Sequence, residues 1–149
     1  MMTISKSPSM NDPKQPSGTQ DSLVTIQTFE GGSDLQLIHG YGDNGFRITG
    51  ARLSGSVFVL PRITQSWTPP ADCSQLTAAH ITALFDDTHP PLFILGVGGA
   101  PMEPLLSLAS QLRSVGIALE VMSTPAACRT WNVLMSEGRF AGAGLYAIA

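Results

Sequence analysis

Cysteine is scarce in this chain, charge is sparse, and lysine is confined to one end. Two cysteines among 149 residues exclude a cysteine-dense disulfide framework and a four-cysteine zinc site. Eight Lys and Arg stand against eleven Asp and Glu, which leaves no excess positive charge to draw nucleic acid or anionic lipid. Apolar runs stay short of the roughly 18 residues that a membrane-crossing helix requires. Lysine occurs only at Lys6 and Lys14, and every later basic residue is an arginine, so the lysine-bearing phosphate loop is ruled out. No G-x-S-x-G nucleophile elbow occurs, and His39, His80 and His89 show no metal-ligand spacing. What is present is 43% apolar residues in a length that suits one domain with a core of its own.

Residues 1–22 are rich in Ser, Pro, Asn, Gln and Gly and hold no aromatic residue. Such a composition cannot offset the entropy of ordering, so a disordered tail is expected there, followed by a single domain over 23–149. The tail has neither a secretory apolar core nor an arginine-rich import pattern, so it is not read as a targeting signal.

From 23 to 60 the punctuation is that of β structure. Strands are expected at 23–29, 35–39, 46–49 and 56–60, with Gly40-Tyr41-Gly42-Asp43-Asn44-Gly45 as a turn. The rhythm then changes. A helix is expected over 73–85, with Ser74 or Thr77 as cap and His80 bordering the core. Leu92-Phe93-Ile94-Leu95 reads as a buried strand. Leu105, Leu108, Ala109 and Leu112 carry the stripe of a helix over 104–115, closed by Gly116. Another strand spans 117–122, a helix opens at Thr124-Pro125 and stops at Gly138, and a small-residue strand covers 140–148. Strands alternating with helices at this spacing predict an α/β fold with parallel strands.

Gly96-Val97-Gly98-Gly99-Ala100-Pro101 leaves a strand and enters a helix, where backbone amides can face an anion. It departs from the dinucleotide fingerprint, because Pro101 replaces the third glycine and Glu103 puts negative charge at the helix start. Glu120 lies near the distance of a ribose-binding acid but sits inside its strand. The arrangement reads first as a structural tight turn. Cys128, with Arg129 beside it, falls in the first turn or so of the last helix, where a thiolate is stabilised. Because no base can be placed beside it and Ala127, Trp131 and Leu134 form the apolar stripe, a small buried hydrophobe is the expected role. Arg129, Asn132 and Ser136 make a polar strip on the opposite face.

The run Thr124-Pro125-Ala126-Ala127-Cys128-Arg129-Thr130-Trp131-Asn132, followed by Glu137-Gly138-Arg139, resembles the motif of a small α/β family. That family includes the mitochondrial NADH dehydrogenase (complex I) assembly factor 3 and short bacterial and archaeal proteins. Gly96-Val97-Gly98, Tyr41-Gly42, Phe46-Arg47-Ile48, Gly55-Ser56-Val57, Leu60-Pro61 and Trp67 are similar to its other elements. Trp131 stands where Tyr or Phe is commoner. The resemblance covers about residues 24–148. It implies a three-layer α/β fold with a central mixed, mostly parallel sheet and an additional N-terminal β layer. It also implies no established catalysis, no cofactor, and protein partners that include respiratory-complex assembly proteins, with attachment to the inner membrane only through a partner.

Two functions follow. One is a non-catalytic, assembly-factor-like interaction protein with no catalytic or metal-ligating residue. The other is a small-anion or metabolite site at the carboxyl edge of the parallel strands. In either case the candidate residues are Gly96, Gly98, Gly99, Thr124, Cys128, Arg129 and Asn132, on the expectation that the glycine turn and the last helix meet on one rim.

Overall fold

The computed structural model describes residues 34–86 and 88–149. The expected tail at 1–22 and strand at 23–29 lie outside the described residues.

Among the described residues a three-stranded antiparallel sheet comes first, made of β1 (Ile38–Gly42), β2 (Gly45–Ile48) and β3 (Ala51–Ser54). β1 turns into β2 through Asp43 and Asn44, both left-handed at φ 51° and 60°. Paired positive φ values match the right-handed twist of a two-residue hairpin, and Asn and Asp adopt them at modest cost. β1 starts three residues later than the expected 35–39 and runs through Gly40 and Gly42 to the Asp-Asn turn, while the backbone of Leu35 and Leu37 bonds to Thr49 and the Gln36 N–H to the Pro61 carbonyl.

A second, five-stranded sheet has the order β5-β4-β8-β6-β7. Its strands are β4 (Val57–Leu60), β5 (Ile63–Ser66), β6 (Leu92–Gly96), β7 (Ala118–Met122) and β8 (Gly142–Leu145). The sheet is mixed, as expected. Parallel pairing does not predominate, however: β6 runs parallel to β7 and β8, while β4 pairs antiparallel with β5 and β8. The short β4–β5 hairpin supplies the antiparallel half, whereas the β6–β7–β8 side is joined by helical crossovers. β3 and β5, each four residues long, carry no run of apolar residues that would mark them in the sequence.

Side chains on the two faces of this sheet enter different cores. Val57, Val59, Ile94, Ala143 and Leu145 join Ile38, Phe46 and Ile48 of the small sheet, together with Ala127, Cys128, Trp131 and Leu134. Phe58, Phe93 and Leu95 join Trp67, Ile81, Leu108 and Leu112 on the opposite face. The alternation is the two-residue period of β structure. β8 is made of small residues because it is crowded from outside: a Cβ on Gly144 would lie 2.7 Å from the Trp67 ring.

Among the described residues three α-helices connect the strands: α1 (Ala78–Thr82), α2 (Leu106–Arg113) and α3 (Thr124–Ser136). The single helix expected over 73–85 is broken. A 3₁₀ turn at Cys73–Gln75 is followed by extended Leu76 and Thr77, and α1 begins only after Thr77. Asp72 caps the first piece and Thr77 the second, so two local side-chain caps outcompete one continuous helix. His80 is exposed and takes part in the α1 cap rather than bordering the core. Gly116 and Gly138 are left-handed just beyond α2 and α3, as expected. The last strand is Gly142–Leu145, shorter than the expected 140–148, and the Tyr146 N–H just beyond it still donates to the Gly96 carbonyl. No helix among the described residues is long and apolar enough to cross a membrane.

Candidate functional site

β6 and β7 end side by side, and the glycine turn leaving β6 meets the first residue of α3. The Gly98 N–H donates to Thr124 Oγ1 at 2.8 Å, and the Thr124 N–H donates back to the Gly98 carbonyl at 3.2 Å. The expected juxtaposition is therefore present. Its chemistry is inward. Thr124 is fully buried and its hydroxyl donates a hydrogen bond to the Tyr146 carbonyl at 2.8 Å, so one side chain ties together the β6 turn, α3 and the end of β8. Thr124 is not the helix cap. Ser123 is, accepting from the Ala126 N–H at 3.3 Å, because its extended backbone can direct Oγ into the first turn.

Gly96 is where α3 touches the sheet most closely. A Cβ there would lie 3.0 Å from Ala127 Cβ and 3.1 Å from Thr124 Cα, so even a methyl group would require its neighbours to give by a few tenths of an ångström. Gly98 is left-handed at φ 68°, and Gly99 is exposed.

One helical turn on, Cys128 is buried in the first core. Burial pushes its thiol up to about 12, and the nearby Arg129 charge only partly opposes this. A thiol so strongly held in its neutral form is not a nucleophile near neutral pH. Both cysteines are free, and they lie in cores on opposite sides of the five-stranded sheet, so a Cys73–Cys128 bridge is not formed. Arg129 points outward and is exposed. Neither Glu120 nor Glu137 takes its guanidinium, since the ion pair seen among the described residues is Arg139 with Glu137 at 3.8 Å.

Asn132 lies on the same strip as Arg129 but is directed back at the small sheet. Its Oδ1 accepts from the Ile38 N–H at 2.9 Å, and its Nδ2 donates to the Ile38 carbonyl at 2.8 Å. Beside it, Trp131 is fully buried and its indole N–H donates to the Gln36 carbonyl at 2.6 Å. Gln36 is itself buried, with Oε1 accepting from Thr64 Oγ1 at 2.6 Å. Gln36, Ile38 and Tyr146 are thus the partners that sequence reasoning missed. All three meet Trp131, Asn132 and Thr124 through backbone groups, which leave no trace in residue type.

Of the seven candidates, Gly98, Thr124 and Asn132 spend hydrogen-bonding groups inside the protein, Gly96 and Cys128 are buried, and Gly99 and Arg129 remain on the surface. Among the described residues no group of three His, Cys, Asp or Glu could hold a metal ion.

Comparison with known proteins places this architecture. Residues 38–146 match the model of a family described as protein of unknown function (DUF498/DUF598). The chain is 38% identical over 115 residues to human NADH dehydrogenase [ubiquinone] 1 alpha subcomplex assembly factor 3, covering 76% of this chain and 61% of that protein. It is 35% identical over 108 residues to an uncharacterized protein of Rhodobacter capsulatus, covering 72% and 82% respectively. A crystal structure of a Bordetella parapertussis protein superposes with a TM-score of 0.63 at 28% identity, covering 76% of this chain and 97% of that one. The chain spans about three-fifths of the length of the vertebrate assembly factors it matches, 63%, 61% and 58% for the zebrafish, human and rat proteins.

Proposed function

Since the chain belongs to the DUF498/DUF598 family, we propose that it is a non-catalytic, assembly-factor-like protein that acts through protein contacts in the building of a respiratory NADH dehydrogenase. The reading is supported by the relatives named as assembly factors. One structural observation carries it furthest. The polar groups of Thr124 and Asn132 that would orient a small ligand are engaged with Gly98, Tyr146 and Ile38, and the Cys128 thiol is buried and neutral. The anion-binding alternative thereby loses most of its donors. What the rim offers outward is Gly99 and the Arg129 guanidinium, features of a contact surface rather than of an enclosing site.

In this reading the working partners are respiratory-complex assembly proteins, the protein works in the bacterial cytoplasm, and any link to the inner membrane runs through a partner. The rim around Gly99 and Arg129 is the proposed contact. Deleting the gene in the source organism should lower the amount of assembled NADH dehydrogenase, resolved by native gel and in-gel activity. Re-expression of the natural sequence should restore it, and re-expression of Arg129→Glu should restore it less well. Unchanged assembly in the deletion strain would remove the proposal.

A further inference from the structure

The small sheet turns one face to the first core and the other to water. Phe46 and Ile48 of β2 are buried, while Arg47 between them is exposed. The register sets Arg47 directly across from Arg52 on β3 and from Gly40 on β1. The next outward row is Gly42, Gly45 and Ser54. Like charges directly opposite on neighbouring strands destabilise a sheet. Among the described residues no acid offsets this pair: Arg47 makes no ion pair, and Arg52 takes the backbone of Asp43 and not its carboxylate.

Arg52 is nevertheless held in place. Its guanidinium lies over Gly45, where a Cβ would come within 2.9 Å of Nη2. It donates to the Asp43 carbonyl at 2.7 Å and more weakly to the Gly42 carbonyl at 3.4 Å. A guanidinium carries five N–H donors, so others stay free to bind outward. The glycines keep the floor of this face low, and the two arginines stand on it with nothing of the described chain to neutralise them.

The chemistry of the face narrows its occupant. It is one side of an open sheet, whereas small-molecule sites are concave. Two cationic groups on a chain of net charge −3 fall short of the phosphate contacts that hold nucleic acid and of the basic cluster that holds an anionic membrane. Two carboxylates on a protein segment fit better. Opposed residues on neighbouring strands have Cβ atoms about 4.5–5.5 Å apart, close to the roughly 5–6 Å between side chains one turn apart on a helix. Guanidinium and carboxylate groups also match two hydrogen bonds at a time.

We propose that the outward face of the small sheet is a docking surface for an acidic protein segment, with Arg47 and Arg52 each taking one carboxylate. It uses different residues from the rim around Gly99 and Arg129 and stands or falls separately from it. The test is a nitrogen-15 NMR titration of the full chain with a blocked ten-residue peptide of alternating Asp and Glu, at neutral pH and low salt. Amide shifts should gather on Gly40, Gly42, Gly45, Arg47 and Arg52, fade as salt passes about 0.15 M, and be absent with the Asn and Gln counterpart. Arg47→Gln and Arg52→Gln should each weaken binding about threefold or more. Arg113→Gln removes an exposed arginine at the end of α2 and should not. Arg47→Gln should also leave the urea midpoint unchanged or raise it, since it removes the opposed charge. Shifts gathered instead on Gly99 and Arg129, equal binding of the Asn and Gln peptide, full binding by Arg47→Gln, or a lowered urea midpoint in that variant would each overturn the proposal. So would tighter binding of duplex DNA or phosphatidylserine vesicles through the same two arginines.

Discussion

Asn132 pairs with Ile38 as a neighbouring β-strand would. The amide oxygen takes the Ile38 N–H at 2.9 Å and the amide nitrogen gives to the Ile38 carbonyl at 2.8 Å. Among the described residues β1 is an edge strand of the small sheet, and a side chain from α3 pairs with part of that edge. Only a group carrying one donor and one acceptor in a plane can do both. Asn132→Ala should therefore cost about 1–3 kcal/mol in urea unfolding. Asn132→Asp should cost at least as much despite its shape, because it sets a charged oxygen against the Ile38 carbonyl. An Asp variant as stable as the natural protein would show that the pairing contributes nothing.

Thr124 is a second joint of this kind, with its hydroxyl both accepting and donating in full burial. Thr124→Val preserves shape but leaves the Gly98 N–H and the Tyr146 carbonyl without partners, a loss of about 1–3 kcal/mol. Thr124→Ser keeps the hydroxyl and should lose less. The comparison of the two variants by thermal unfolding isolates the hydroxyl from the packing.

Gly96→Ala tests the approach of α3 to the sheet. The new methyl would meet Ala127 Cβ at 3.0 Å, Leu145 Cδ2 at 3.1 Å and backbone at Thr124 Cα. Overpacking of this sort costs about 1–3 kcal/mol. The double variant Gly96→Ala with Ala127→Gly should recover part of it, and a purely additive result would exclude direct contact as the cause.

Arg129 behaves differently from its neighbours. It is exposed, so Arg129→Ala should change stability by no more than about 0.5 kcal/mol, in contrast to Asn132 three residues later. A large loss of stability would make it a scaffold residue and take it out of the proposed contact surface.

Alkaline pH should unfold the protein through groups held neutral by burial. The Cys128 thiol and the Tyr146 phenol are each pushed up to about 12 from ordinary values of 9.0 and 10.0. Between those limits the unfolded chain has lost protons that the folded chain still holds. Its proton count is the lower of the two, so stability falls as pH rises, having been fully present below about pH 9. Denaturant unfolding across pH 8 to 12 should show this slope, and Cys128→Ala should reduce it. Cys128 should resist thiol reagents at pH 8 in the native protein and react once it is unfolded.

The helices and strands of the second half were legible because each carries its own period. Leu105, Leu108 and Leu112 form one buried stripe of α2 and its entry turn, and Phe93, Ile94 and Leu95 form an uninterrupted buried strand. The break before α1 was less legible. Thr77 and Asp72 offered local caps, but only packing of Leu76 and Ile81 into the second core decides that both are used.

Sequence alone determined the α/β class, the inward stripe of α3 and the buried role of Cys128, since these rest on periodicity and on the preference of apolar groups to leave water. Tertiary structure alone decided where the polar groups of α3 point. Asn132 reads as part of a surface strip by spacing and Thr124 as a candidate rim residue, yet their partners are backbone groups of Gly98, Tyr146 and Ile38, distant in the chain and identical in chemistry to every other peptide unit. A side chain that seeks a backbone partner leaves no mark on the partner's residue type, so only the folded arrangement reveals it.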